Sequence, residues 1–247
     1  MRLSKVIRRA WKACPEAVKD GIRTFPPVVA WRAEASRRHW RHQPHDRIYD
    51  GEYFEFVEKT TAPGADVMAT AIRLACRPTK VLDVGCGTGA LLASLRAQGV
   101  GVVGLERASA GLAACRRRGL DVCRFDIGAD QAPAIEGVDL VVSMEVGQQL
   151  PESQADRYID LLCSYAAPVA FSADRPGGGD RNPMNERPPA WWVEKFERRG
   201  YAVDHAVTAL WRRAWKSAGL PRWFHENVML LRRHRQLEQV AGLIASP

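Results

Sequence analysis

The sequence predicts an α/β fold, a mainly parallel sheet with helices on both faces, and three observations carry the prediction. Seven short apolar runs containing β-branched residues recur at residues 80–84, 101–106, 121–125, 138–143, 168–172, 201–208 and 227–231, the length and composition of strands. Between the first four lie helical patterns or turn-rich segments, such as "GALLASLRAQG" and "SAGLAACRRRG", whose apolar residues recur every three or four positions. Strands alternating with helices are the pattern of a parallel sheet. At 247 residues, 46% hydrophobic and 26% charged, the chain has an ordinary globular composition and can bury a full core.

Residues 1–47 read as a basic helical extension. Leu3, Val6, Ile7, Ala10 and Trp11 share one helical face, and Arg2, Lys5, Arg8, Arg9 and Lys12 cover the rest. Pro44 interrupts any helix within "RHQPHD" and marks the linker to the main domain, residues 48–247. The next segment, "RIYDGEYFEFVEK", puts Tyr49, Tyr53 and Val57 on one helical face, for packing in the core or for closing over a ligand. Gly99 and Gly119 follow the two helical patterns, where a left-handed cap is wanted.

After the fifth strand, "RPGGGDRNPMNERPP" is long and rich in glycine and proline. It reads as a lid lined by Asn185, Trp191 and Trp192, unless the two tryptophans anchor the following helix on the sheet. The last two runs, "YAVDHAVTAL" and "WFHENVMLLRR", read as a closing antiparallel hairpin.

The stretch "VLDVGCGTGA", residues 81–90, admits two ligands. Gly85, Gly87 and Ala90 fit the dinucleotide fingerprint, whereas Asp83, Gly85, Gly87 and Gly89 make D-x-G-x-G-x-G. Glu106, 21 residues after Gly85, serves ribose hydroxyls under either reading. Asp83 decides against pyrophosphate, because a carboxylate there suits a cationic, phosphate-free ligand. Asp126 in "CRFDIG" is placed to accept from an adenine amino group, and "VDLVVSMEVGQQLP" runs from the fourth strand straight into a loop.

At these residues the chain resembles the class I S-adenosylmethionine-dependent methyltransferases, over roughly residues 49–232. The resemblance implies a Rossmann-like, seven-stranded, mostly parallel sheet with an antiparallel last strand, and S-adenosylmethionine as cofactor. It implies that Gly85, Gly87 and Gly89 flank the methionine and ribose portions, that Glu106 takes the ribose hydroxyls, and that Asp126 with Ile127 frames the adenine. Asp83, Cys86, Arg107 and Met144 complete the expected cofactor site. A second resemblance, over residues 171–201, is to a little-characterised group of bacterial methyltransferases with a similar Phe-Ser-Ala, Pro-Gly, Asn-Glu and Trp pattern. It implies no particular substrate.

The chain departs from its relatives at the acceptor. Many read E-V-x-E-H after the fourth strand; here Glu145 remains, while Gln148 and Gln149 fill the other two places, and amides neither titrate nor hold divalent ions well. Pro183 stands where the bacterial group commonly has histidine. Candidate catalytic residues are Glu145 and Glu186, ahead of His205 and His225. For Glu145 the alternative is ligand positioning or capping; for the others it is a solvated surface place. No metal site is expected.

The 36 Lys and Arg exceed the 28 Asp and Glu to give +8, and residues 1–47, with 12 against 4, carry all of the excess. Such an arm suits an anionic membrane surface through residues 1–40, and equally a nucleic-acid or acidic-partner contact. Nucleic-acid methylation is disfavoured by "SMEV" where amine-methylating relatives carry D/N-P-P-Y/F. The same absence favours oxygen over nitrogen as the atom methylated. Six cysteines without a C-x-x-C pair point to a reduced, cytoplasmic protein. The expected activity is methyl transfer to a small molecule, a secondary metabolite or a saccharide, with a nucleic-acid methyltransferase or a non-catalytic binding module as the alternatives.

Overall fold

The computed structural model describes residues 43–165, 167–177, 182–234 and 236, together with Val18 and Glu34. The basic arm expected at residues 1–40 lies outside the described residues apart from those two positions.

A short helix α1 (His45–Ile48) leads into α2 (Gly51–Cys76), where the Asp50 side chain caps the start by accepting from Tyr53 N at 2.9 Å. Helix α2 continues through Pro63 to Arg77, which closes it in the left-handed conformation. Then come β1 (Lys80–Val84), α3 (Ala90–Ala97), β2 (Gly101–Glu106), α4 (Ser109–Arg117), β3 (Val122–Arg124), β4 (Leu140–Met144), α5 (Ala155–Ser164), β5 (Val169–Ser172), α6 (Pro189–Glu197), β6 (Tyr201–Val203), α7 (His205–Ser217), α8 (Arg222–Asn227) and β7 (Met229–Arg233).

The seven strands form one sheet in the order β3-β2-β1-β4-β5-β7-β6. Strands β1 to β5 pair in parallel, and β7 runs antiparallel to both β5 and β6. Alternate side chains feed the two faces. Leu82, Val84 and Val141 pack with Tyr158, Phe171, Trp192 and Phe196 under α5 and α6. Val81, Leu140 and Val142 pack with Met68, Trp211 and Trp215 under α2 and α7. Trp211 and Trp215 stack with centroids 5.8 Å apart, as residues one helical turn apart do.

The chain end corrects the expected hairpin. Strand β6 stops at Val203, and Asp204 caps α7 by accepting from Val207 N at 3.1 Å. The apolar residues Val207, Trp211 and Trp215 therefore repeat every four positions on a helix face, not every two along a strand. Helix α8 likewise takes the first half of the last apolar run. The antiparallel pairing of β6 with β7 is present, but two helices separate the strands in sequence.

Among the described residues all five cysteines are free and no group of His, Cys, Asp or Glu could hold a metal ion. No helix among them is long and apolar enough to cross a membrane.

Candidate active site

The strand order reverses between β1 and β4, and open parallel sheets bind ligands beyond the carboxyl ends of strands at such a point. A cavity of about 920 Å³ lies there, at the top of the roughly 300–1,000 Å³ range of small-molecule sites.

Its floor is the turn after β1. Gly85 has φ +78°, and a Cβ added there would stand 2.4 Å from Cγ2 of Val146, so only glycine passes beneath the loop that follows β4. Gly87 faces the cavity with nothing nearer than 3.8 Å to an added Cβ. Gly89 is different. It does not line the cavity, and a Cβ there would meet Cδ1 of Leu120 at 2.4 Å and Sγ of Cys115 at 2.9 Å. The third glycine admits close packing of α3 instead of a ligand.

Glu106, at the end of β2, is 7% exposed. Its Oε1 accepts from Ala108 N at 2.7 Å and its Oε2 from Gly87 N at 2.9 Å. Burial raises its carboxyl above the usual range, and these backbone donors oppose the shift. Asp83, also buried, is pushed up to about 8 by burial and by the neighbouring charge of Glu106. Further along the wall, Asp126 pairs with Arg107 at 3.1 Å and accepts from Gly128 N at 2.9 Å. Ile127, Met144 and Cys86 line the cavity beside them.

One wall adds His45, which no sequence signal singled out, to the tyrosines that the sequence placed on one helical face. His45, Tyr49 and Tyr53 all line the cavity, with His45 and Tyr49 rings 4.7 Å apart and Tyr49 and Tyr53 rings edge-on at 5.0 Å. Asp46 fixes this segment by accepting from N and Oγ of Ser109 at 2.9 and 2.6 Å. Burial, together with the Arg107 guanidinium, lowers the His45 imidazole to about 4, so it is neutral at pH 7. Tyr49 and Tyr53 pack with Phe54 and Ile48 and also line the cavity.

Beyond β4, Glu145 has φ +58°, an uncommon conformation for a side chain with a Cβ. Its N–H donates to O and Oγ of Ser172 at 3.0 and 3.1 Å. Gln148, read as a departure, organises the region. It is 2% exposed, and its Nε2 donates to Glu145 O at 2.9 Å and Glu145 Oε2 at 3.3 Å. Its Oε1 accepts from Asp174 N at 3.1 Å, and its backbone carbonyl accepts from Met184 N and Asn185 N. Gln149 Nε2 donates to the Tyr53 hydroxyl at 3.1 Å.

The structure therefore brings Asp83, Gly85, Cys86, Gly87, Glu106, Arg107, Asp126, Ile127, Met144 and Glu145 to one cavity. It leaves Gly89 and Glu186 off that lining; Glu186 accepts from Gly177 N at 3.2 Å. His205 and His225 are also off it. The lid reading of the tryptophans is corrected: Trp192 is buried against Phe171 at 5.5 Å and Tyr158 at 6.3 Å, and Trp191 lies under the Lys195 ammonium at 4.5 Å. Asp174, Asn182 and Met184 from the same loop region do reach the cavity.

Among the described residues the lining carries five carboxyl groups, Asp83, Glu106, Asp126, Glu145 and Asp174, of which Asp83 holds its proton below about pH 8, against the single guanidinium of Arg107. That balance favours a cationic ligand over one bearing pyrophosphate.

Comparison with known proteins agrees with the fold. A family model described as methionine biosynthesis protein MetW matches residues 65–156, the part from the second half of α2 to the start of α5. No curated protein sequence matches the chain. Among solved structures, the mitomycin 7-O-methyltransferase MmcR aligns at TM-score 0.56 and 13% identity, over 84% of this chain and 72% of that one. A TehB-like S-adenosylmethionine-dependent methyltransferase from Corynebacterium glutamicum aligns at TM-score 0.53 and 20% identity, over 74% of this chain and 96% of that one. The amino pentose methyltransferase CalS10 from Micromonospora echinaspora is 26% identical over 44% of this chain, at TM-score 0.39, and the aligned part spans about half (49%) of that protein.

Proposed function

We propose that this chain, which has the class I S-adenosylmethionine-dependent methyltransferase fold, binds S-adenosylmethionine in the cavity beyond β1, β2 and β4 and methylates a small molecule. The observation that carries the reading is the acidic cavity at the strand-order reversal. Its carboxylates fit a ligand with a cationic sulfur and an ammonium group, and disfavour a dinucleotide.

In this reading Glu106 accepts from the ribose hydroxyls on the lone pairs its two backbone donors leave, and Asp126 and Ile127 border the adenine. Asp83 and the open face of Gly87 border the methionine portion. When bound, S-adenosylmethionine supplies a methyl group on a positively charged sulfur that departs as a neutral thioether, so the protein need donate no proton there. Rate then comes chiefly from alignment. Glu145, held by Gln148, orients the acceptor and takes its proton where the acceptor enters protonated. The absent amine motif supports oxygen as the atom methylated. Glu186 is left without a part in this scheme, since it does not line the cavity.

The basic arm is a separate proposal, contact with an anionic membrane through residues 1–40; co-sedimentation with anionic vesicles that persists after its deletion would remove it. The activity is tested by calorimetric titration with S-adenosylmethionine, S-adenosylhomocysteine and NAD. Micromolar binding of the first two and none of the third is expected. Binding of NAD alone would mean that the glycine turn holds a dinucleotide.

A further inference from the structure

We infer that the acceptor is an amphiphilic molecule with an aromatic or alicyclic body, presenting a hydroxyl inward and its apolar part toward the cavity mouth. The inference rests on the cofactor reading above, because it concerns the part of the cavity that the proposed cofactor residues leave over.

That remaining part has two chemically different ends. The inner end is polar, with Glu145, Gln148, Gln149, Asp174 and Asn182. The outer end carries Phe56 and Val57 on α2, Met184 on the loop after β5 and Trp223 on α8, with the buried Phe224 ring beside Trp223. These elements are far apart in sequence, so their convergence is a property of the fold. Trp223 and Phe224 stand 6.3 Å apart and tilted, and Phe224 belongs to the same core cluster as Met68 of α2 and as Trp211 and Trp215 of α7, the helix against which α8 packs.

Two further observations make the mouth apolar by construction. Thr60 and Thr61 line the cavity, yet their hydroxyls are turned to their own helix: Thr60 Oγ1 donates to Phe56 O and Val57 O at 2.9 and 3.0 Å, and Thr61 Oγ1 to Val57 O at 2.7 Å. Each threonine proton is thus committed to the helix, and this wall offers the many oxygens of a sugar no threonine donor. In addition, Phe56 and Met184 are 58% and 41% exposed, and they are two of the five large apolar side chains exposed among the described residues. Single exposed apolar residues need no explanation. Two on separate elements that line one cavity mark a surface that an apolar ligand covers.

The full chain should be titrated with naphthol and with methyl glucoside, each with and without saturating S-adenosylhomocysteine, following heat and tryptophan fluorescence. Saturable binding of naphthol, and not of the glucoside, is expected. Phe56→Gln, at an exposed position that leaves the core intact, should weaken naphthol about tenfold, close to the transfer free energy of a partly buried aromatic ring, with S-adenosylhomocysteine affinity unchanged. Binding of the glucoside in preference to naphthol would overturn the inference. So would naphthol binding indifferent to Phe56→Gln. Failure of S-adenosylhomocysteine to bind at all would remove the cofactor reading and this inference with it, and is read in a separate titration.

Discussion

The backbone N–H of Gly87 donates to Oε2 of Glu106 across 2.9 Å, tying the turn after β1 to the carboxylate at the end of β2. With Ala108 N on the other oxygen, Glu106 holds the cofactor-side wall in one geometry before any ligand arrives. Glu106→Gln keeps the shape and removes the charge. Hydrogen bonds to charged groups contribute about 1.5–3 kcal/mol, so S-adenosylhomocysteine affinity should fall about 10- to 100-fold by calorimetry. Unchanged affinity would remove the cofactor assignment.

Two glycines of the turn should separate by function. Gly87→Ala puts a methyl group into the cavity at φ +58°, a conformation that costs an L-residue roughly 1–2 kcal/mol, and should chiefly reduce cofactor affinity. Gly89→Ala meets Leu120 and Cys115 instead. Overpacking of that kind costs about 1–3 kcal/mol, so Tm should drop while affinity measured well below Tm holds. Equal affinity losses in the two variants would contradict the assignment of Gly89 to packing.

Asp83 makes both stability and binding depend on pH. Its carboxyl titrates near 8 in the ligand-free native state because burial and Glu106 disfavour its charge, whereas the unfolded group titrates in the ordinary carboxyl range. The native state thus holds a proton that the unfolded chain has lost. This contribution to stability is complete below that ordinary range and is lost as pH rises through about 8. A cationic ligand binds the carboxylate form, so its affinity should rise with pH by up to about tenfold per unit until Asp83 has titrated. Calorimetry in buffers of different ionisation enthalpy should show proton release, and Asp83→Asn should abolish it.

Trp192 belongs to the core. It is 1% exposed and packs on Phe171 and Tyr158, so Trp192→Ala should lower stability by about 3–5 kcal/mol in denaturant unfolding. An unchanged unfolding midpoint with impaired acceptor binding would restore the lid reading.

Some of this protein was settled by local chemistry, which a sequence displays. Strands β1 to β5 were legible because each is a short apolar run between turn signals, and the cofactor-side carboxylates because they sit at strand ends whose order follows the chain. Read from the residues, Asp83, Glu106 and Asp126 are three isolated acids, in, at the end of and just past three strands; parallel pairing in register carries all three to the carboxyl end of the sheet.

Only the tertiary structure decided the rest, since it depends on contacts between segments remote in sequence. The run from β6 onward reads as one strand by its apolar, β-branched residues, yet Asp204 caps a helix whose tryptophans find the sheet face formed by Val81 and Val142. Glutamine at 148 looks like a lost catalytic group until the fold surrounds it with Glu145, Asp174, Met184 and Asn185. His45 and the Phe56–Trp223 mouth carry no motif at all. Their place in the site comes from α1, α2 and α8 each lining the one cavity beyond the strand ends, and burial of apolar surface between distant segments is what holds such helices on the sheet.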